Sequence, residues 1–404
     1  MKTVHSMPSS VAVTLAMILV VSISCKPTSK TTSGFSVGDL KLADQKMQAY
    51  VDKGKLPCMS LLVIRDGKTL HQRTFGFANI EEERALKKDA IFRIYSMSKP
   101  ITAAALMMLY DEGKFQLDDP VAIYIPGFKN TKVWAEGQEV DQSEPFTIRH
   151  LLTHTAGFCY GWDAGSHVDS LYNLGYQGGI WAARTLENMM KLLAGYPLKN
   201  QPGSKWEYSV SIDVAGYLVE VLSGISLDEF LQTRLFEPLE MDDTGFQVPE
   251  KDFGRLAMIY SDDKGSGELS PVSGLTNGVK KRVTLFSGGG GLVSTIGDYG
   301  RFGQMLLNGG ELNDVRVLKE STVKLIMSDQ LPSTATYGEG MGYGLGGQVN
   351  KETGEYSWSG MASTYFVADP ANNMVILAFT QYIPNSRFPF AAEFRELVRE
   401  ALEK

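Results

Sequence analysis

Residues Ile101 to Leu109 carry no charge and a single hydroxyl, so a helix made from them is apolar on every side. Such a helix has to be buried, and the rest of the chain must supply what encloses it. With 404 residues, 43% of them hydrophobic and 21% charged, there is length for one large core or two domains. The segment is introduced by Ser96-Met97-Ser98-Lys99. A helix puts residues three apart on one face, which sets the Lys99 amine beside the Ser96 hydroxyl. Serine is a weak nucleophile until a neighbouring base takes its proton, and a desolvated lysine is one group able to do so. Spacing alone does not select this serine, because Ser261/Lys264 and Ser321/Lys324 repeat it. Ser261-Asp262-Asp263-Lys264-Gly265 reads as an exposed turn. Ser321 starts a charged amphipathic helix, where a serine is ordinarily a cap. Only Ser96 leads into a buried helix.

The N-terminus has a polar, basic start followed by the uncharged run Val11 to Ile23. Thirteen residues are short for a bilayer span and sit where a secretory signal belongs, so residues 1–25 are expected to direct export. Ser22-Ile23-Ser24-Cys25 resembles a bacterial lipoprotein processing site, with Ser22 where leucine is usual. It implies lipidation of Cys25 and a periplasmic or membrane-anchored protein; ordinary signal cleavage nearby is the alternative. Residues 26–35, rich in Ser and Thr, read as a flexible tether ahead of a catalytic domain at 36–404. Cys58 and Cys159 are expected to be buried free thiols. The net charge of −7 gives no electrostatic reason to expect nucleic acid as a partner.

Leu40 to Val51 has helical spacing. Met59 to Ile64 and Thr69 to Phe77 flank Arg65-Asp66-Gly67-Lys68, and Asp-Gly suits a type I′ hairpin turn. From about 117 to 271 the chain turns to short helices punctuated by Gly and Pro. These include Thr147 to His154, ended near Gly157, and a capping box, Ser226-Leu-Asp-Glu229, ahead of Phe230 to Phe236. Strand text returns in Ser363 to Ala368 and Met374 to Tyr382, a second hairpin, before an amphipathic helix from Ala391 to Glu403. Strands and a helix at each end with a helical middle predict an α+β fold interrupted by a helical insert.

Three segments then fall in chain order: Ser96-x-x-Lys99, Tyr208-Ser209-Val210 and Trp358-Ser359-Gly360. With Leu56-Pro57, His150 to Gly157, Pro202-Gly203, Asp213 to Gly216 and the glycine run Gly288 to Gly291, the chain resembles the serine β-lactamase and penicillin-binding-protein superfamily. The resemblance is to its class C β-lactamase-like branch, nearest to the family VIII carboxylesterases, and covers nearly all of the mature chain. It implies an antiparallel sheet built from both chain ends and flanked by helices, with no metal or other cofactor. It also implies a Ser96 acyl-enzyme, Lys99 and Tyr208 as alternative bases, and an oxyanion hole from the backbone N–H groups of Ser96 and Met361. A phenol, ordinarily near pKa 10, works as a base at neutral pH only where cations stabilise its phenolate, so Lys99 and Tyr208 are expected to titrate together.

Departures from the superfamily pattern bear on substrate. Val210 stands where β-lactamases of this branch have the asparagine of Tyr-x-Asn, and Trp358-Ser359-Gly360 stands for Lys-Thr-Gly. Losing that lysine removes a cation suited to a substrate carboxylate; Trp358 offers flat apolar surface instead. Gly360 is expected to leave room for substrate beside the strand. Together Val210, Trp358, Ser359 and Gly360 are the expected substrate-binding residues. Tyr-Ser-x-Ser-x-Asp, as in Tyr208 to Asp213, is shared with family VIII esterases and favours a small ester as substrate. A β-lactamase or D-alanyl-D-alanine carboxypeptidase acting on an amide, or a silent peptidoglycan- or peptide-binding relative, is the alternative. His150 and His154 at i, i+4 are expected to serve structural hydrogen bonds, since no third metal ligand accompanies them. Gly-x-Ser-x-Gly occurs once, at Gly34-Phe35-Ser36-Val37-Gly38 beside the tether with no strand pattern ahead of it, so the strand–turn–helix context of an α/β-hydrolase nucleophile is missing and that class is disfavoured. Oligomeric state is not written in the sequence.

Overall fold

The structure is a computed structural model that describes residues 40–173, 179–262 and 267–402. The signal segment, Cys25 and the tether at 26–35 lie outside the described residues.

The hairpin signal at Asp66-Gly67 is realised between β1 (Cys58–Arg65) and β2 (Lys68–Asn79), with Arg65 opposite Lys68. Both turn residues are left-handed, φ 51° at Asp66 and 74° at Gly67, the backbone a type I′ turn demands. A short β3 (Arg84–Ala85) follows. The C-terminal part adds β4 (Met341–Tyr343), β5 (Gln348–Asn350), β6 (Tyr356–Gly360), β7 (Thr364–Asp369) and β8 (Met374–Phe379). These eight strands form one sheet in the order β4-β5-β6-β7-β8-β1-β2-β3, antiparallel at every pairing. The ends of the chain meet where β1 pairs with β8, Leu62 opposite Leu377.

All six residues of β8 are buried, because both faces of the sheet are covered. Met374, Ile376 and Ala378 point to one side, where α1 (Lys41–Asp52) contributes Ala43 and Met47 and α6 (Phe390–Leu402) contributes Phe394 and Val398. Val375, Leu377 and Phe379 point to the other, against Tyr299 and Phe302 of α5 (Ile296–Leu307). Each such side chain taken out of water contributes about 1.5–3 kcal/mol, which specifies register firmly.

The apolar helix is α2 (Ser98–Asp111), and every residue from Ser98 to Leu109 is buried. It lies beneath the sheet in the same core as α3 (Ile148–Leu152) and α4 (Ser211–Ser223). Residues 117–271 carry short helices and also two small ribbons, Val133–Ala135 with Gln138–Val140 and Tyr260–Ser261 with Ser270–Pro271, which the helical reading did not include. Ser226 does precede a helix, but its side chain makes no cap; the Leu227 N–H instead donates to Glu220 Oε1 of α4 at 3.0 Å. Among the described residues no helix is long and apolar enough to cross a membrane.

Candidate active site

Ser96 lies in a 3₁₀ turn, Tyr95–Met97, that runs directly into α2. Side chains three apart nearly eclipse in that geometry, which sets Ser96 over Lys99. The preceding Tyr95 has φ 42°, a left-handed conformation unfavourable for a side chain of its size. Lys99 is wholly buried. Its Nζ lies 3.3 Å from Ser96 Oγ and donates to the Gly289 carbonyl at 2.6 Å. Tyr208, on the segment leading into α4, reaches the same oxygen from the other side: its hydroxyl is 2.5 Å from Ser96 Oγ. Lys99 Nζ also sits 4.5 Å from the Tyr208 ring centroid. Amine, phenol and serine hydroxyl therefore converge on one point.

The glycine run supplies a rail for the lysine. Asp213 is buried, and its Oδ1 accepts from Ser287 Oγ at 2.5 Å and from Gly289 N–H at 3.1 Å. Gly289 is thereby held with its carbonyl against Lys99. Burial raises the Asp213 pKa, opposed by the Ser287 hydroxyl, the Lys99 charge and the Gly289 N–H. Burial likewise pushes the Tyr160 and Tyr343 phenols well above their usual range and Tyr337 up to about 12. Those three neighbours of the site stay protonated at neutral pH.

β6 runs to the edge of the serine turn. A Cβ at Gly360 would lie 2.2 Å from the Ile94 carbonyl and 2.4 Å from Thr364 Oγ1. The close approach at Gly360 is thus between two stretches of the chain itself, which corrects the expectation that this glycine makes room for substrate. Met361, the next residue, is 40% exposed. Trp358 is 9% exposed, its ring 5.7 Å from Tyr208 and edge-on to Tyr343 at 5.3 Å. Little of the indole remains as an open platform; its ring packs against Tyr208 and Tyr343. Ser359 is half-buried. Val210 is fully buried in the core at the start of α4, so its side chain presents no surface to a ligand, another correction.

His150 and His154 are used by the fold. His150 closes a capping box with Thr147 at the start of α3, and His154 Nδ1 lies 3.1 Å from Ser209 Oγ. Among the other serines three residues ahead of a lysine, Ser261 is a buried strand residue rather than an exposed turn, and Lys264 lies outside the described residues. Ser321 is exposed within a helix whose N-cap position is Lys319, and Lys324 pairs with Glu320. Cys58 and Cys159 are buried and free.

Apart from Trp358, sequence reasoning did not single out the aromatic side chains around Tyr208. Tyr160 lies 5.0 Å from it, Trp162 5.8 Å and Trp206 6.0 Å, centroid to centroid. The available signal was Phe158, Tyr160 and Trp162 at every second position, a strand-like alternation in a stretch that forms no strand.

The family model described as Beta-lactamase matches residues 43–400. Protein Rv1367c of Mycobacterium tuberculosis is 31% identical over 369 residues, covering 84% of this chain and 90% of that protein. Esterase EstB of Burkholderia gladioli is 38% identical over 216 residues, about half of each chain (52% and 51%). The solved structure of EstCE1, described as a hydrolase with promiscuous acyltransferase activity, superposes with a TM-score of 0.77 at 27% identity, covering 91% of this chain and all of that one.

Proposed function

We propose, from the premise that the chain belongs to the Beta-lactamase family and is a serine hydrolase, that it cleaves small carboxylic esters through a Ser96 acyl-enzyme. The observation that carries this is the placement of Ser96 Oγ between Lys99 Nζ and the Tyr208 hydroxyl. In the first half-reaction Ser96 Oγ bonds to the ester carbonyl carbon and its proton passes to the Lys99–Tyr208 pair. The carbon–oxygen bond to the alcohol then breaks, and the alkoxide leaves with that proton. Water repeats the sequence on the acyl-enzyme, releasing the acid and restoring the serine. Charge developing on the carbonyl oxygen is met by the backbone N–H groups of Ser96 and Met361, worth about 3 kcal/mol for one donor in such sites. The approach of Gly360 to Ile94 supports this pairing, since it ties the end of β6 to the turn bearing Ser96.

An ester is favoured over a lactam or a D-alanyl peptide because Trp358, packed on Tyr208, occupies the strand position where those enzymes keep a lysine. EstB, an esterase by name, and EstCE1, a hydrolase, support the same choice. Export, with lipidation at Cys25, completes the proposal and rests on the uncharged run Val11 to Ile23 and the Ser22–Cys25 pattern; a Cys25→Ser change should move the protein from the membrane to the soluble fraction.

Protein lacking residues 1–25 tests the chemistry. It should turn over p-nitrophenyl butyrate, acquire an acyl mass on Ser96, and cleave a chromogenic cephalosporin far more slowly. Fast cephalosporin cleavage with negligible ester cleavage would establish the lactamase alternative. Failure to form any fluorophosphonate or penicillin adduct would establish a silent binding protein.

A further inference from the structure

The aromatic side chains beside Tyr208 are arranged as a surface, and part of that surface faces solvent. Trp162 is the most exposed large apolar side chain among the described residues, at 70%, and Trp181 is 39% exposed. Tryptophan is normally highly buried, so an indole left open at this level is not explained by packing. It is nonetheless held in place. The Trp162 ring stacks on Tyr160 at 4.7 Å with 13° between planes, and Trp181 lies nearly parallel to the same Tyr160 ring, at 6.0 Å and 10°. Tyr160 itself is only 9% exposed, so it anchors the two indoles to the core. Trp162 is 5.8 Å from Tyr208, whose hydroxyl touches the nucleophile. The surface is thus continuous with the reacting serine.

We infer that Tyr160, Trp162 and Trp181 form a subsite for a flat aromatic ring in the alcohol part of the ester, an inference that rests on the ester-hydrolase reading. The alcohol side is assigned because the departing alkoxide takes its proton from the Lys99–Tyr208 pair and so leaves along the Tyr208 face, towards Trp162. An aromatic ring is assigned because ring-on-ring stacking adds a preference beyond apolar area, and rings anchored nearly parallel present that geometry ready-made. A saturated ring gains only the area term, which on its own favours the bulkier cyclohexyl group.

Benzyl acetate and cyclohexylmethyl acetate separate the two effects, because both release primary alcohols of similar acidity. With protein lacking residues 1–25, kcat/KM should favour the benzyl ester by roughly 2- to 12-fold. The ratio should fall to about one or below in Trp162→Ala, a change at a side chain too exposed to threaten the fold, and should largely survive in Trp162→Phe. Trp181→Ala should lower it by a smaller factor. In Ser96→Ala protein, benzyl alcohol should quench tryptophan fluorescence more than cyclohexylmethanol does, and the difference should vanish in the Ser96→Ala/Trp162→Ala double variant. Turnover of ethyl acetate with no benzyl preference, or with a preference untouched by Trp162→Ala, overturns the subsite and leaves ester hydrolysis standing. Loss of all ester turnover alongside a stable penicillin adduct overturns both.

Discussion

The Tyr208 hydroxyl lies 2.5 Å from Ser96 Oγ, across 112 residues of sequence, while Lys99 reaches the same oxygen from one helical turn away. The two partners are supported differently. Lys99 is fixed from behind by the Gly289 carbonyl, and Tyr208 by ring packing against Trp358 and Trp206.

Removing either base should therefore damage the chemistry without dismantling the fold. Tyr208→Phe keeps the ring packing and deletes only the hydroxyl, so kcat for p-nitrophenyl butyrate should fall by about 10²–10⁴ with the melting temperature nearly unchanged. Lys99→Ala should cost activity on a similar scale. It should also destabilise the protein, since it leaves the buried Gly289 carbonyl without its donor. Stopped-flow acylation and thermal melts of the two variants check this. A Tyr208→Phe enzyme with wild-type kcat would remove the phenol from the mechanism.

The contact between Gly360 and Ile94 makes a second, purely geometric prediction. A methyl group at Gly360 would sit 2.2 Å from a backbone oxygen, which no rotamer change can relieve. Gly360→Ala must push β6 away from the Ser96 turn. Overpacking of this kind costs about 1–3 kcal/mol, and a displacement of about 1 Å at the reacting groups costs about 100-fold in rate. Gly254→Ala, at an exposed position with no heavy atom within 4 Å of the new Cβ, is the control and should change neither quantity. Equal activity in the two variants would show that β6 does not position the site.

What could be read from sequence divides along physical lines. The Asp66-Gly67 turn, the buried α2 and the proximity of Lys99 to Ser96 are local consequences of backbone geometry, and periodicity reports them. That Tyr208 belongs with Ser96 is not local, and only the resemblance suggested it. Val210 and Gly360 were assigned to substrate because motif position says nothing about which way a side chain points or what packs behind a glycine. Trp162 and Trp181 escaped notice because they are far apart in sequence and share a face only through the Tyr160 ring on which both stack. Ser226 looked like a cap until Glu220, from another helix, proved to hold the Leu227 N–H.

Burial of His154 leads to a prediction about pH. Desolvation, reinforced by the Lys99 charge, holds its imidazole pKa well below the ordinary 6.5. The folded protein thus keeps His154 neutral at pH values where the unfolded chain binds a proton. Below about pH 6.5 the unfolded state holds the extra proton, so stability is full above that pH and is lost as pH falls through it, at a limiting slope of about 1.4 kcal/mol per pH unit. His71 and His150, also shifted downward mainly by burial, add in the same direction. Substituting glutamine at 154 removes one of the three contributions. Between pH 6.5 and 5.5 the urea-unfolding free energy of His154→Gln should drop by about 1 kcal/mol less than that of the wild type. Every carboxylate is common to both proteins, so the difference isolates the imidazole, and parallel pH profiles would mean that His154 takes up its proton as readily in the native state as in the unfolded chain.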